Sequence, residues 1–190
     1  MSQSAQGHSV AEDQRPSLKE RLGDLLTLSR AFISLIVLSL SFVGEDAYLA
    51  VVILVIIGGI TDILDGKLAR RYLGERGEGK LGRYDPEIDA FLVLCTLAYF
   101  SLSHIVIPTI AGLGWIAVAV TVIFAFRRQP KVLLGFEIPS ILAVIAIAAL
   151  YDLTIFVYIV LPALAIGVVV DYKRVRYLLF DYFPKIFSNK

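Results

Sequence analysis

The sequence predicts an all-α integral membrane protein: six transmembrane helices behind an N-terminal amphipathic helix, with both termini cytoplasmic. Three observations carry that prediction. Hydrophobic residues make up 57% of the 190-residue chain and mean hydropathy is +0.76, too high for a soluble domain of this size, so lipid must solvate the apolar runs. Those runs recur at lengths near the ~20 residues that cross a ~30 Å hydrocarbon core. With six crossings assigned, all 18 Lys and Arg fall on one side of the membrane.

Residues 1–16 are polar and poor in aromatics, and read as a disordered tail. Ser17 and Glu20 have capping-box spacing, opening a helix over 17–28. Leu18, Leu22, Leu25 and Leu26 share one face of it, with Lys19, Glu20, Arg21 and Asp24 largely opposite. That pattern suits a helix lying in the membrane interface, or a soluble helix packed on a partner. No cleavable leader is expected, because the first 28 residues lack an uninterrupted apolar stretch. The six spans are expected at 29–44, 48–68, 86–104, 106–126, 133–150 and 153–171. Gly44-Glu45-Asp46 joins the first two and Tyr151-Asp152 the last two. Pro108, Pro139 and Pro162 fall in or near spans, where neighbouring helices re-satisfy the freed backbone groups. Residues 173–190 mix basic residues with Tyr177, Phe180, Tyr182 and Phe183, and read as an interfacial tail.

Charge sets the orientation. Arg15, Lys19, Arg21 and Arg30 precede or enter the first span. Lys67 to Arg83 lie between spans two and three, Arg127, Arg128 and Lys131 between four and five, and the last five basic residues after span six. The opposite loops hold Glu45, Asp46, His104 and Asp152 without any Lys or Arg. The basic side is expected to be cytoplasmic.

Four carboxylates stand out against this apolar background. Asp62 and Asp65 are three apart, and Asp85 and Asp89 four apart, so on helices each pair projects from one face. An acid within a membrane span is costly unless paired and marks function by default. Clustered carboxylates need a cation between them, and oxygen-only ligands suit Mg²⁺ or Mn²⁺. Gly66 and Ala69 follow on the same side of the helix and allow close approach to its backbone. Arg70, one turn after Gly66, suits a bidentate grip on a phosphate. Together these features describe a nucleotide diphosphate site.

The constellation resembles the CDP-alcohol phosphotransferase family of integral membrane enzymes. Its pattern is Asp-x2-Asp-Gly-x2-Ala-Arg-x8–9-Gly-x3-Asp-x3-Asp, and this chain supplies Asp62, Asp65, Gly66, Ala69, Arg70, Asp85 and Asp89 in order. Leu26-Thr27-Leu28-Ser29-Arg30 resembles the family's helix-one motif, which ends in Arg. The resemblance spans residues 17–172, which it marks as the membrane domain. One departure is local: Leu81 occupies the place of the family Gly, and Gly82, one residue late, is expected to take its role.

The resemblance implies that Asp62, Asp65, Asp85 and Asp89 hold two divalent metal ions and that Asp89 is the general base. It implies that Asp62, Gly66, Ala69, Arg70 and Gly82 line the nucleotide. The reaction implied is transfer from a CDP-linked donor, usually CDP-diacylglycerol, to a small polar acceptor alcohol with release of CMP. A homodimer in a bacterial or archaeal cell membrane is also implied, with the site facing the cytoplasm and no nucleic-acid partner.

Asp85-Pro86 resembles members that use glycerol phosphate, which directs the expectation to glycerol 3-phosphate. Ala90 stands where those members often carry Lys, so inositol phosphate, serine and other head groups stay open. Arg127, Arg128 and Lys131 are either topology signals or a pocket for the acceptor's phosphate. Asp85-Pro86 is also what a helix start looks like, and capping and metal ligation can coexist. The competing function is a small divalent-cation transporter using the same acids. Cys95, His8, His104 and Trp115 read as packing, tail or loop residues, and a single Cys excludes an intrachain disulfide.

Overall fold

The computed structural model describes the backbone of residues 18–72, 85–126, 130–170 and 172, and side chains over 24–64, 86–126, 132–170 and 172. The described residues are helical and contain no strand. We number the long helices α1 (Leu18–Ser39), α2 (Tyr48–Tyr72), α3 (Asp85–Leu102), α4 (Thr109–Ala125), α5 (Pro130–Tyr151) and α6 (Leu153–Val170). Within α6 the segment Phe156–Val160 forms a π turn between two α-helical stretches. Pro162 lies two residues beyond it and brings no N–H for the carbonyl one turn earlier.

Helix α1 shows why this chain belongs in lipid. Its buried face reads Thr27, Arg30, Ser34 and Val37, whereas Leu25, Leu28, Phe32 and Leu35 are each more than half exposed. A helix of a soluble domain has the reverse arrangement, apolar inward and polar outward. Among the described residues, four helical stretches are long and apolar enough to cross a membrane: Asp24–Phe42, Gly44–Leu64, Val132–Tyr151 and Leu153–Val170. Helix α4 is apolar but 17 residues long, and α3 opens with Asp85, Glu87 and Asp89.

The sequence separates an interfacial helix over 17–28 from a first span at 29; the structure joins them in one helix, Leu18–Ser39. The junction contains neither Gly nor Pro. Ser29, which would have to cap a new start, instead donates its hydroxyl back to the Leu26 carbonyl at 2.7 Å. Ser17, the expected cap, lies outside the described residues, as do the tails 1–16 and 173–190.

Local chemistry sets the corners. Between α1 and α2, Gly44 has φ +81°, a left-handed conformation that glycine adopts without steric cost. Tyr99 of α3 donates its hydroxyl to the Gly44 carbonyl at 2.8 Å, tying this turn to the bundle. Between α5 and α6, Asp152 is extended and its carboxylate accepts the Ile155 N–H at 3.0 Å, an N-cap that restarts the helix. The two corners are neighbours: Tyr151 donates to Glu45 at 3.2 Å, and the rings of Tyr48 and Tyr151 meet edge-on at 4.8 Å.

Helix α3 is the most enclosed element, flanked by α1, α4 and α5. Its residues Leu97, Tyr99 and Phe100 build the core with Val37, Tyr48, Val51, Ile105 and Ile147. Helices α2 and α3 both pack extensively on α1 but meet each other at few places. That asymmetry positions the site.

Candidate active site at the α1–α2–α3 junction

Asp62 lies in α2, one turn after Gly58, on a face whose neighbours are small. Asp89 lies one turn into α3, which opens at Asp85-Pro86, where proline's fixed φ and missing N–H suit the first turn. Arg30 lies on the buried face of α1, between Thr27 and Ser34, and Ser34 donates to the Arg30 backbone carbonyl at 2.8 Å.

These three side chains meet. Nη1 of Arg30 donates to Oδ1 of Asp62 at 3.0 Å and also to Oδ1 of Asp89. The Arg30 side chain is 0% exposed, while Asp62 and Asp89 keep 31% and 23% of their surface. One guanidinium nitrogen thus links carboxylates from two helices, and each acid still has an open side. Burying a charge in this way is tolerable only with such pairing. Among the described residues, two carboxylates stand against one guanidinium at the junction.

Asp65 stands one turn beyond Asp62 in α2, and Asp85 one turn before Asp89 in α3. Register therefore puts each on the same helix face as its partner acid. Their side chains, with those of Gly66, Ala69, Arg70 and Lys131, lie outside the described residues, and Gly82, Arg127 and Arg128 do so entirely. Among the described residues no three acids, histidines or cysteines cluster to hold a metal. Asp62 and Asp89 nonetheless fit a divalent ion in kind: hard oxygen donors from two helices, aimed at one cationic position and partly open.

A model of the CDP-alcohol phosphatidyltransferase family matches residues 21–170, which include all three helices of the junction. The chain belongs to this family. CDP-alcohol phosphatidyltransferases move a phosphate-linked group from a CDP-alcohol donor to an acceptor alcohol and generally depend on divalent metal. The family match and the apolar helices identify a membrane transferase. No curated protein and no solved structure matches the chain significantly.

Arg30 is the residue that sequence reasoning missed. It counted as a topological charge and as the end of the helix-one segment, without a role beside the acids, although it is an ionisable residue inside an apolar run, as Asp62 is. The rule that flags intramembrane acids as functional applies equally to an intramembrane arginine. His104, Cys95 and Trp115 stand elsewhere. His104 lies beyond the far end of α3, its Nδ1 3.2 Å from Thr109 Oγ1. Cys95 is buried in α3. Trp115 donates to Ser140 at 2.9 Å, packing α4 on α5.

Proposed function

We propose that this transferase moves a phosphatidyl group from CDP-diacylglycerol to a small polar alcohol, with glycerol 3-phosphate the favoured acceptor, and releases CMP. In this reading the chain crosses the membrane six times and the α1–α2–α3 junction faces the cytoplasm. A lipid-anchored donor and a water-soluble acceptor then meet at one interface. The observation that carries the proposal is the convergence of Asp62 and Asp89, from two different helices, at a single charged point.

The acceptor hydroxyl attacks the β-phosphorus of the donor, the bond from that phosphorus to the bridging oxygen breaks, and CMP leaves with the electron pair. Asp89, the acid on α3 with an open side, takes the hydroxyl proton. Asp62, Asp65, Asp85 and Asp89 would hold two Mg²⁺ or Mn²⁺ ions, which when bound neutralise diphosphate charge and ease departure of CMP. Gly66, Ala69, Arg70 and Gly82 line the nucleotide together with Asp62. Arg127, Arg128 and Lys131 receive the acceptor's phosphate. A homodimer is part of the same reading.

The transporter alternative fares worse, because a fully buried guanidinium fixed between the two acids is an obstacle to a cation path. The deciding experiment measures CMP release from CDP-diacylglycerol by purified protein in nanodiscs, with Mg²⁺ or Mn²⁺ and a panel of acceptor alcohols. Release that stops on chelation and depends on one acceptor supports the proposal. Folded protein that releases no CMP with any acceptor rejects it.

A further inference from the structure

We propose that Arg30 is a positioning residue of the transfer reaction: it holds the carboxylates of Asp62 and Asp89 in register, so that the divalent-cation site exists before any cation or nucleotide arrives. The inference rests on the proposed function for its catalytic meaning, but its structural basis is independent. Helices α2 and α3 meet each other at few places and are held mainly through α1. The guanidinium of Arg30 links the three helices, with one nitrogen on both acids.

Two charged carboxylates brought to one point repel each other, and a cation between them offsets that repulsion. Arg30 supplies that cation permanently, from a helix to which both acids are packed. Its complete burial argues against a mere topology signal, since such arginines keep their heads in water. Thr27 and Ser34 flank it on the same buried face. Arginine suits the task better than lysine: lysine's nitrogen lies about one bond closer to the backbone, and it lacks the rigid fork.

Two effects of removing Arg30 oppose each other. Loss of a positive charge favours an incoming cation, whereas loss of the clamp lets the ligands drift apart. The proposal holds that the second effect wins. The test is Mn²⁺ binding to substrate-free protein, followed by electron paramagnetic resonance, for wild type, Arg30→Gln and Arg30→Lys, with monodispersity checked by gel filtration. Arg30→Gln is expected to bind Mn²⁺ about 10–100-fold more weakly, the usual range for losing a group that orients metal ligands. Arg30→Lys is expected to fall between Arg30→Gln and wild type. In CMP release, kcat is expected to fall with binding while KM for the CDP-linked donor changes less.

Unchanged or tighter Mn²⁺ binding by Arg30→Gln would overturn the proposal, as would wild-type protein that binds no Mn²⁺. Should Arg30→Gln fail to fold, Arg30→Lys decides: binding identical to wild type overturns the proposal, and weakened binding supports it. Wild type that binds Mn²⁺ yet releases no CMP would reject the proposed function alone, with the Arg30 comparison still read from Mn²⁺ binding.

Discussion

Gly58 of α2 lies against Leu92 of α3: a Cβ added to Gly58 would stand 2.6 Å from Leu92 Cδ2. Gly58 is one turn before Asp62, and Leu92 is three residues after Asp89, so this contact sets how closely the two acids approach. Gly58→Ala meets only the end of a flexible side chain, which can turn aside. Gly58→Val adds bulk that a rotated Leu92 does not clear. Gly58→Val is expected to lose ~1–3 kcal/mol of stability, as overpacked sites do, and most CMP release; Gly58→Ala keeps both nearly intact. Denaturant unfolding in mixed micelles and the transfer assay read the two effects.

The Arg30–Asp62–Asp89 triad predicts non-additive stability. Asp62→Asn or Asp89→Asn alone removes one of the two carboxylates on Nη1 of Arg30 and keeps the other, so each is expected to cost less than the ~3–5 kcal/mol of breaking an isolated buried pair. The double variant takes both of these carboxylates from a buried cation and is expected to cost more than the sum. Adding Arg30→Met to the double variant removes that charge and is expected to restore stability without restoring turnover. A mutant cycle on unfolding free energy checks this; strictly additive values would contradict it.

Helix α4 lies tightly against α3 at Gly112. A Cβ there would lie 1.8 Å from Ser101 Oγ and 2.7 Å from Ser101 Cβ. The hydroxyl could rotate, but the Cβ is part of the helix and cannot. Gly112→Ala is expected to destabilise the protein by ~1–3 kcal/mol, measured by the same unfolding assay. The Gly112→Ala, Ser101→Gly pair is expected to recover much of that loss.

Asp152 predicts the opposite split. Its cap on Ile155 stabilises the start of α6, so Asp152→Ala is expected to cost ~1 kcal/mol. The α5–α6 corner contacts the α1–α2 turn, at the other end of α2 from Asp62. CMP release at a permissive temperature is therefore expected to match wild type.

Much of this molecule is legible from residue order alone. Long apolar runs dictate helices, Gly44 and Asp152 mark corners by their own backbone chemistry, and Asp62 and Asp89 betray themselves as acids among aliphatic residues. What residue order hides is tertiary. Nothing local says that Arg30 turns inward, because an arginine near a span's end satisfies the same charge rule whether it snorkels or is buried. The continuity of α1 was hidden for a similar reason: an amphipathic stretch followed by an apolar run fits two helices as well as one, and the Ser29 hydroxyl on the Leu26 carbonyl shows that the helix runs on. A π turn at Phe156–Val160 precedes Pro162, whereas Pro139 sits inside α5 without one, so a proline in an apolar run does not by itself announce a π turn.

The pairing of Arg30 with an acid 59 residues downstream has a consequence for biogenesis. During synthesis the first helix enters the bilayer carrying a cation whose second counter-ion is still untranslated, an expense of up to ~2.5–3.5 kcal/mol on insertion scales. A nascent chain arrested before α3 should therefore hold its first segment loosely, and that segment should lock into place only when Asp89 emerges.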